Sequence, residues 1–382
     1  MDPVALTQAL VRMDSVNPPG REDACARLLG GLLADAGFEV GYGVLADGRS
    51  SVVATLRDPS AEKPCLAFTG HLDTVPLGAA PWAFDPFGGE IHGDRLYGRG
   101  ASDMKGGVAA AVAAAVRCAP WLGETAGLAL ILTAGEETGC DGARQLVREG
   151  ALPARVGALV VGEPTANRPM LGHKGALWVC ACTQGRTAHG SMPEQGDNAI
   201  HRMARVVLAL QAHVPGGGAS ALGRPTLNVG TIQGGLNINS VPDLASIGID
   251  IRTLPGMRHD EVLAGLGRYL DGAAALRTLL DAPAVYTDPQ HPWVHQVFEA
   301  AGSDREGAAD IVSYFTDASV LKAALGDVPT VVLGPGEPQL AHQTDEYACV
   351  SRIERAAAIY ESLIGRWCDR PAPRCDTDSS PP

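Results

Sequence analysis

The sequence predicts an α/β fold in which a smaller α+β domain interrupts a larger layered one. Three observations carry that expectation. Short apolar runs alternate with helical stretches early in the chain, a central section changes to the apolar–polar alternation of half-buried strands, and buried-strand character resumes only after it.

Taken in order, EDACARLLGGLLADAG (22–37) has its apolar residues at helical spacing and Gly37 as a stop. SVVATL (51–56), PCLAFTG (64–70), GLALILTAG (127–135), ALVVGEP (158–164) and VPTVVLGPG (328–336) are short apolar runs bounded by turns, as strands buried on both faces are. A helical MKGGVAAAVAAAVRC (104–118) separates the second from the third. From Lys174 to Thr287 the pattern differs. ALWVCACTQ, TLNVGTIQ and ASIGIDIR alternate around helical NAIHRMARVVLALQAH and HDEVLAGLGRYL, a compact β-α-β-β-α-β order of the ferredoxin-like kind. The expected domains are 1–173 joined with 288–382, and an inserted 174–287. The final CDRPAPRCDTDSSPP (368–382) is Pro-rich and polar and reads as a disordered tail.

Composition narrows the function classes. Over 382 residues, 30 basic and 43 acidic side chains leave a net charge of −13, with no long single-sign run, which argues against nucleic-acid binding through a basic surface. No stretch approaches 18 uninterrupted apolar residues, and MDPVALTQALVRMD lacks a basic patch followed by an apolar core, so neither a membrane span nor a secretory signal is read. The expected compartment is the cytoplasm. Nine cysteines without CxxC spacing read as reduced thiols, and Cys180 and Cys182 as small apolar filler on a strand.

Five segments carry the chemistry: TGHLDTVP (69–76), GRGASDMKGG (98–107), TAGEETG (133–139), VGEPT (161–165) and AHQTDEY (341–347). Four of them lie at the ends of apolar runs, and sites in open α/β sheets form beyond the carboxyl ends of strands. Carboxylates mixed with imidazoles and no thiolate suit Zn²⁺ or a similar divalent ion in an open catalytic site. Five candidate ligands exceed what one open zinc takes, whereas two ions sharing a carboxylate would each keep room for water. Two dications against Asp103, Glu137 and Glu163 leave +1, which a hydroxide neutralises. Spacing alone leaves metal number and ligand pairing open. Glu136 and Glu137, as neighbours in an extended segment, would point to opposite sides, so that one ligates while the other handles protons. In His71-x-Asp73 both side chains would share a side, with the Asp73 carboxylate accepting from the ring and orienting it.

In this order the five segments resemble the dizinc amidohydrolase and peptidase family of acetylornithine deacetylase, succinyl-diaminopimelate desuccinylase, aminoacylase and glutamate-type carboxypeptidases. The resemblance covers nearly the whole chain except the tail, and LGPGEPQLAHQTDEY is most like the deacetylase and desuccinylase branch. It implies a zinc-peptidase-like α/β/α catalytic domain with an inserted lid. It further implies two Zn²⁺ ions, for which Co²⁺ or Mn²⁺ can stand in, with His71 and Glu163 on one, Glu137 and His342 on the other and Asp103 bridging. Asp73 would orient His71, and Glu136 would be the general base and then acid. A cis peptide is implied at Asp103–Met104. His189, in GRTAHGSMPEQGDNAI, resembles the lid histidine that stabilises the oxyanion, in dimeric members from the partner subunit. Arg252 and Asn239 match lid residues that hold the substrate carboxylate, with Lys174, Gly175 and Thr316 as weaker substrate contacts.

The expected activity is metal-dependent hydrolysis of the amide of an N-acyl amino acid, by hydroxide under Glu136. FTDASV carries Ser319 where desuccinylases resemble TSDGRF, so a cation for a second carboxylate is missing and an uncharged acyl group is favoured. The rival enzyme is a dipeptidase or carboxypeptidase of the same chemistry, and the rival from another class is a non-catalytic metal-dependent binding protein. A small-molecule substrate, no nucleic acid, no membrane and a homodimer through the lid complete the expectation.

Overall fold

The computed structural model describes residues 1–58, 60–122, 126–213, 215–216, 223–304 and 311–369. The expected disordered tail falls, from residue 370 onward, outside the described residues, while Cys368 and Asp369 close the last helix. The chain divides into two compact units: Met1–Gly172 with Thr287–Ala308 and Thr316–Pro382, and His173–Tyr286 with Ala309–Phe315.

The larger unit is built on a six-stranded sheet. In spatial order its strands are Glu39–Ala46, Arg49–Leu56, Leu128–Thr133, Cys65–His71, Val156–Val161 and Thr330–Val332. The last four run parallel to one another, and the first two join as an antiparallel hairpin at one edge. Every residue of Cys65–His71 and Leu128–Thr133 is buried, as the wholly apolar runs require of central parallel strands. Helix Gly106–Cys118 packs against the sheet and against helices Pro3–Val11 and Val350–Trp367. Ala109–Ala115 are all buried there. Short side chains in place of aromatics let helix and sheet approach closely, in keeping with a sequence that is only 5% aromatic. Gly107 marks the tightest approach: a Cβ there would collide with the Gly162 carbonyl, at the end of the Val156–Val161 strand.

Several elements have weaker sequence signals. Strand Glu39–Ala46 is mostly exposed and lacks an apolar run. Helix Pro3–Val11 is set by its terminus, where the Asp2 side chain accepts from the Val4 N–H at 2.8 Å and Pro3 occupies the first helical position. Pro292–Ala301 likewise starts on a proline behind His291 and stops at Gly302, whose φ is +60°.

The smaller unit is a four-stranded antiparallel sheet in the order Thr226–Gly234, Leu244–Thr253, Gly175–Gln184, Ala275–Ala282. Helices Ala199–Gln211 and His259–Leu270 cover one face, burying Leu177, Val179, Ala181, Ile247, Ile249 and Ile251 against Met203, Val206, Leu210 and Leu266. The order is β-α-β-β-α-β. Phe315, which the expected boundaries left in the larger domain, packs with Ala176, Trp178, Leu280 and Ala282, and Val312 bridges to His173. An aromatic side chain with an apolar face to cover draws its segment into this unit.

Among the described residues no helix is long and apolar enough to cross a membrane, and the described cysteines form no disulfide.

Candidate metal centre

Four of the five segments meet at the carboxyl ends of the parallel strands. His71 ends Cys65–His71, Glu136 and Glu137 follow Leu128–Thr133, Glu163 follows Val156–Val161, and His342 lies in the loop beyond Thr330–Val332. Asp103 comes from Ala101–Lys105, a wide helical turn broken at Asp103 (φ −121°, ψ 91°) that leads into Gly106–Cys118. The Asp103–Met104 peptide is cis.

These residues form two triads sharing one member: His71, Asp103 and Glu163, and Asp103, Glu137 and His342, the ligand atoms of each lying within 4.8 Å of one another. Asp103 gives one oxygen to each. Its Oδ1 lies 3.1 Å from His71 Nε2 and its Oδ2 3.3 Å from His342 Nε2. Glu163 Oε1 is 3.7 Å from His71 Nε2, and Glu137 Oε2 is 3.2 Å from His342 Nε2. His71, Asp103 and Glu163 are buried, whereas the His342 side chain is 54% exposed, so the second triad opens to solvent.

Asp73 does a different job from the one its spacing suggested. His71 Nδ1 lies 2.9 Å from the Asp73 main-chain carbonyl and 3.6 Å from its carboxylate. The strand ends at His71, so the chain curls and brings the Asp73 carbonyl under the ring. Since a carbonyl only accepts, Nδ1 carries a hydrogen, and Nε2 is the nitrogen turned toward the triad. The Asp73 carboxylate accepts instead from Glu136 N (3.1 Å), Glu137 N (3.2 Å) and Asn17 Nδ2 (2.9 Å). It holds the turn that carries both glutamates. That segment is a turn rather than extended chain, and Glu137 alone joins a triad.

Electrostatics shows what the cluster lacks. Burial works to lower the His71 pKa, yet Asp103, Glu163 and Asp73 hold it well above the ordinary value. Contacts with Asp103 and Glu137 lift His342 to about 10. Burial opposes ionisation of Asp103, but both imidazoles hold its carboxyl well below the carboxylate range. Burial, reinforced by neighbouring carboxylates, pushes Glu136 and Glu163 well above theirs and raises Glu137. So dense a group of acids needs positive charge, which divalent ions supply. Oxygen and imidazole donors fit such ions, and Glu136 Oε1 and Glu137 Oε1 are buried with no hydrogen-bond partner.

Asn17, Arg99, Asp317 and Glu346 escaped the sequence analysis. Asp317 accepts from Thr133 Oγ1 at the end of the strand before the glutamates, and burial lifts it to about 6. Glu346 receives Arg99 and three main-chain N–H groups around Asp103. Burial pushes it up to about 7 against those donors. The Asp-Glu pair inside AHQTDEY was the available signal for Glu346; Asn17 had none.

Thr316 is buried, its Oγ1 accepting from Ala318 N at 3.1 Å at the start of helix Ala318–Ala324. Ser319 is also buried, with its Oγ unpartnered. The other substrate candidates belong to the smaller unit. Exposed His189 has Ser191 Oγ at 2.7 Å from Nδ1, and Gly190 N donates to the Asn239 carbonyl at 2.7 Å, joining their loops. Arg252 is paired on its own strand with Asp250: Nε and Nη2 each donate to Oδ2 at 3.1 Å, while Trp178 Nε1 donates to Oδ1. Lys174 Nζ donates to the Arg224 carbonyl at 3.0 Å.

Residues 67–366 match peptidase family M20/M25/M40. The chain is 31% identical over 352 residues to an acetylornithine deacetylase of Vibrio vulnificus (strain CMCP6), covering 88% of this chain and 89% of that one. It is 32% identical over 390 residues to one of Edwardsiella ictaluri (strain 93-146), covering 96% and 98%. Among solved structures it resembles an M20 family metallo-carboxypeptidase from Sulfolobus solfataricus, with a TM-score of 0.77, 19% identity and coverage of 97% and 100%. A tripeptidase from Staphylococcus aureus gives a TM-score of 0.75 at 19% identity, covering 96% and 98%.

Proposed function

Because the chain belongs to peptidase family M20/M25/M40, and so to a family of metal-dependent hydrolases, we propose that it cleaves the amide of an N-acyl amino acid. The observation that carries the reaction class is the pair of triads sharing Asp103. Substrate class rests on the relatives: those named acetylornithine deacetylase align over most of both chains at 30–32% identity, whereas the peptidases share the fold at 19%. Ser319 in place of an arginine favours an uncharged acyl group.

His71 and Glu163 would hold one ion, Glu137 and His342 the other, and Asp103 both; zinc is the proposed metal. When bound, such ions polarise the scissile carbonyl and acidify water. Glu136 takes the proton from the attacking water and returns it to the departing nitrogen, the role suited to a carboxyl that burial raises well above its ordinary range. Asp73 fixes the turn that aims Glu136 and, through its carbonyl, the tautomer of His71. For the smaller unit we propose His189 as donor to the developing oxyanion and Arg252, aided by Asn239, as the partner of the substrate α-carboxylate. Thr316 and Lys174 remain weaker substrate proposals, since each has a structural partner.

A homodimer through the smaller unit is also proposed. Thr226–Gly234 is an edge strand with Ile232 exposed, and Leu236 and Ile238 project from the turn after it. A monomer in sedimentation at micromolar concentration would overturn it.

The test is amine release by zinc-reconstituted protein across N-acetyl, N-formyl and N-succinyl amino acids and simple dipeptides, with Glu136→Ala as control. Turnover of one neutral-acyl class, lost in the variant, is expected. Cleavage of dipeptides alone would move the protein to the peptidase reading suggested by its structural neighbours, and metal binding without any turnover would favour a binding protein.

A further inference from the structure

We propose that the buried Arg99–Glu346 pair is the positioning device that sets Asp103 between the two triads, with the metal-centre reading above as its premise. Both side chains are almost wholly enclosed, at 1% and 0% exposure. Each carboxylate oxygen of Glu346 accepts twice. Oε2 takes Arg99 Nη1 at 2.7 Å and Gly100 N at 2.9 Å; Oε1 takes Ser102 N and Asp103 N, both at 2.9 Å. One carboxylate therefore gathers the main chain that leads into the break in the helical turn, and the Asp103 N–H is among its donors.

Arg99 extends the brace to two more segments. Its Nη1 also donates to the Gln343 carbonyl at 3.2 Å, next to His342, and its Nη2 to the Pro76 carbonyl at 3.2 Å, three residues beyond Asp73. The guanidinium lies over the Trp82 ring, 5.1 Å from its centre. Ser102 adds a parallel tie, donating to the Tyr347 carbonyl at 2.6 Å and accepting from Glu337 N at 2.9 Å. The loops bearing His71, Asp103 and His342 thus meet on one ion pair that itself lies outside both triads.

A buried charge is tolerated only with its partners in place, so this pair is a poor choice for stability alone and a good one for geometry. An Asp that must offer one oxygen to each side has little latitude: a turn of its carboxylate improves one triad while spoiling the other. Glu346 restrains the backbone from which that carboxylate projects. Asp103 is then placed before any cation arrives, which spares binding the cost of ordering it.

The direct test needs only the native protein. Amide hydrogen exchange is followed at Gly100, Ser102 and Asp103 in metal-free and zinc-loaded enzyme. Comparable protection in both states is expected; amides that exchange freely until zinc is added would show the metal to be the organiser and overturn the proposal. Glu346→Gln and Arg99→Lys provide the second arm, titrated with Co²⁺ by visible absorption and by competition with a chromophoric chelator. Each variant is expected to lose 10-fold or more in affinity for at least one equivalent, with an altered cobalt spectrum. Folded variants with native affinities and spectra would overturn the assignment. Absence of any divalent-ion binding by the native protein would instead sink the metal-centre reading, while the exchange pattern would still report on the pair.

Discussion

The two units treat their chemistry-bearing side chains in opposite ways. At the strand ends of the larger unit, His71, Asp73, Asp103, Glu136 and Glu163 are buried and held by groups behind them: the Asp73 carbonyl under His71, the Asp73 carboxylate under the glutamate turn, Asn17 under Asp73, and Glu346 under the Asp103 loop. In the smaller unit, His189 is exposed with Ser191 at its ring, and Arg252 leans on Asp250, two residues away on the same strand. The difference teaches where accuracy is demanded. The carboxylates proposed to bridge and to move a proton would need their positions fixed within a fraction of an ångström, whereas the groups proposed to receive a substrate could settle as it arrives.

On that contrast the largest effect belongs to Glu136, the residue proposed to move the proton. Glu136→Gln should lower kcat by roughly 10²- to 10⁴-fold. Zinc affinity measured by competition should barely change, since the side chain stands outside both triads. A comparable loss of metal would instead make Glu136 a ligand.

Removing the ions should expose the charge frustration of the larger unit. Glu136, Glu137 and Glu163 have folded pKa values above their unfolded ones, and so do His71 and His342, the last at about 10. In every case the folded protein holds its protons to higher pH than the unfolded chain. Stability of the metal-free protein should therefore be greatest at mildly acidic pH. It should fall as pH rises past the ordinary carboxylate range and on through the His342 value near 10. Zinc should raise the melting temperature more at pH 8.5 than at pH 6, as its ligands bind deprotonated. Scanning calorimetry with and without chelator, between about pH 5 and 10, reads the sign directly, and a metal-free protein that grows more stable across this window would contradict it.

Intermediate effects should come from the groups behind the cluster. Asp73→Asn keeps an oxygen for one of the two glutamate N–H groups and loses the other, and it should cost about 10- to 100-fold in kcat/KM. In the smaller unit, Arg252→Lys removes a planar fork and should raise KM for a carboxylate-bearing substrate about 10-fold, with kcat less affected. A kcat loss in Arg252→Lys as large as that of Asp73→Asn would erase the distinction between the units.

Much of the larger unit was legible because its signals are chemical and local. Wholly apolar runs mark strands buried on both faces, and a His, Asp or Glu just beyond such a run stands where a parallel sheet opens its crevice. The braces were not legible. Asn17 reaches Asp73 across 56 positions, and Glu346 reaches Asp103 across 243, so their pairing exists only once the chain is folded. Asp73 shows the limit of spacing arguments: alternation correctly set it near His71, but the strand ended there, and the carbonyl took the place foreseen for the carboxylate. In the smaller unit, alternation exposed the sheet, yet Trp178 reaches Asp250 through strand register, which no single run of sequence displays.

The smallest predicted effect separates the units most cleanly. Ser191 touches His189 at 2.7 Å in an exposed loop, a geometry that on distances alone rivals any contact in the metal centre. A hydrogen bond open to water is exchanged for one with solvent at little net cost, about 0.5–1 kcal/mol, so Ser191→Ala should change kcat/KM by no more than about fivefold. The contacts around Asp73 (2.9–3.2 Å) and Glu346 (2.7–2.9 Å) are no shorter but are buried, where an abandoned donor finds no water to replace its partner. If Ser191→Ala proves as damaging as Asp73→Asn, then His189 is positioned as strictly as the cluster residues, for all its exposure.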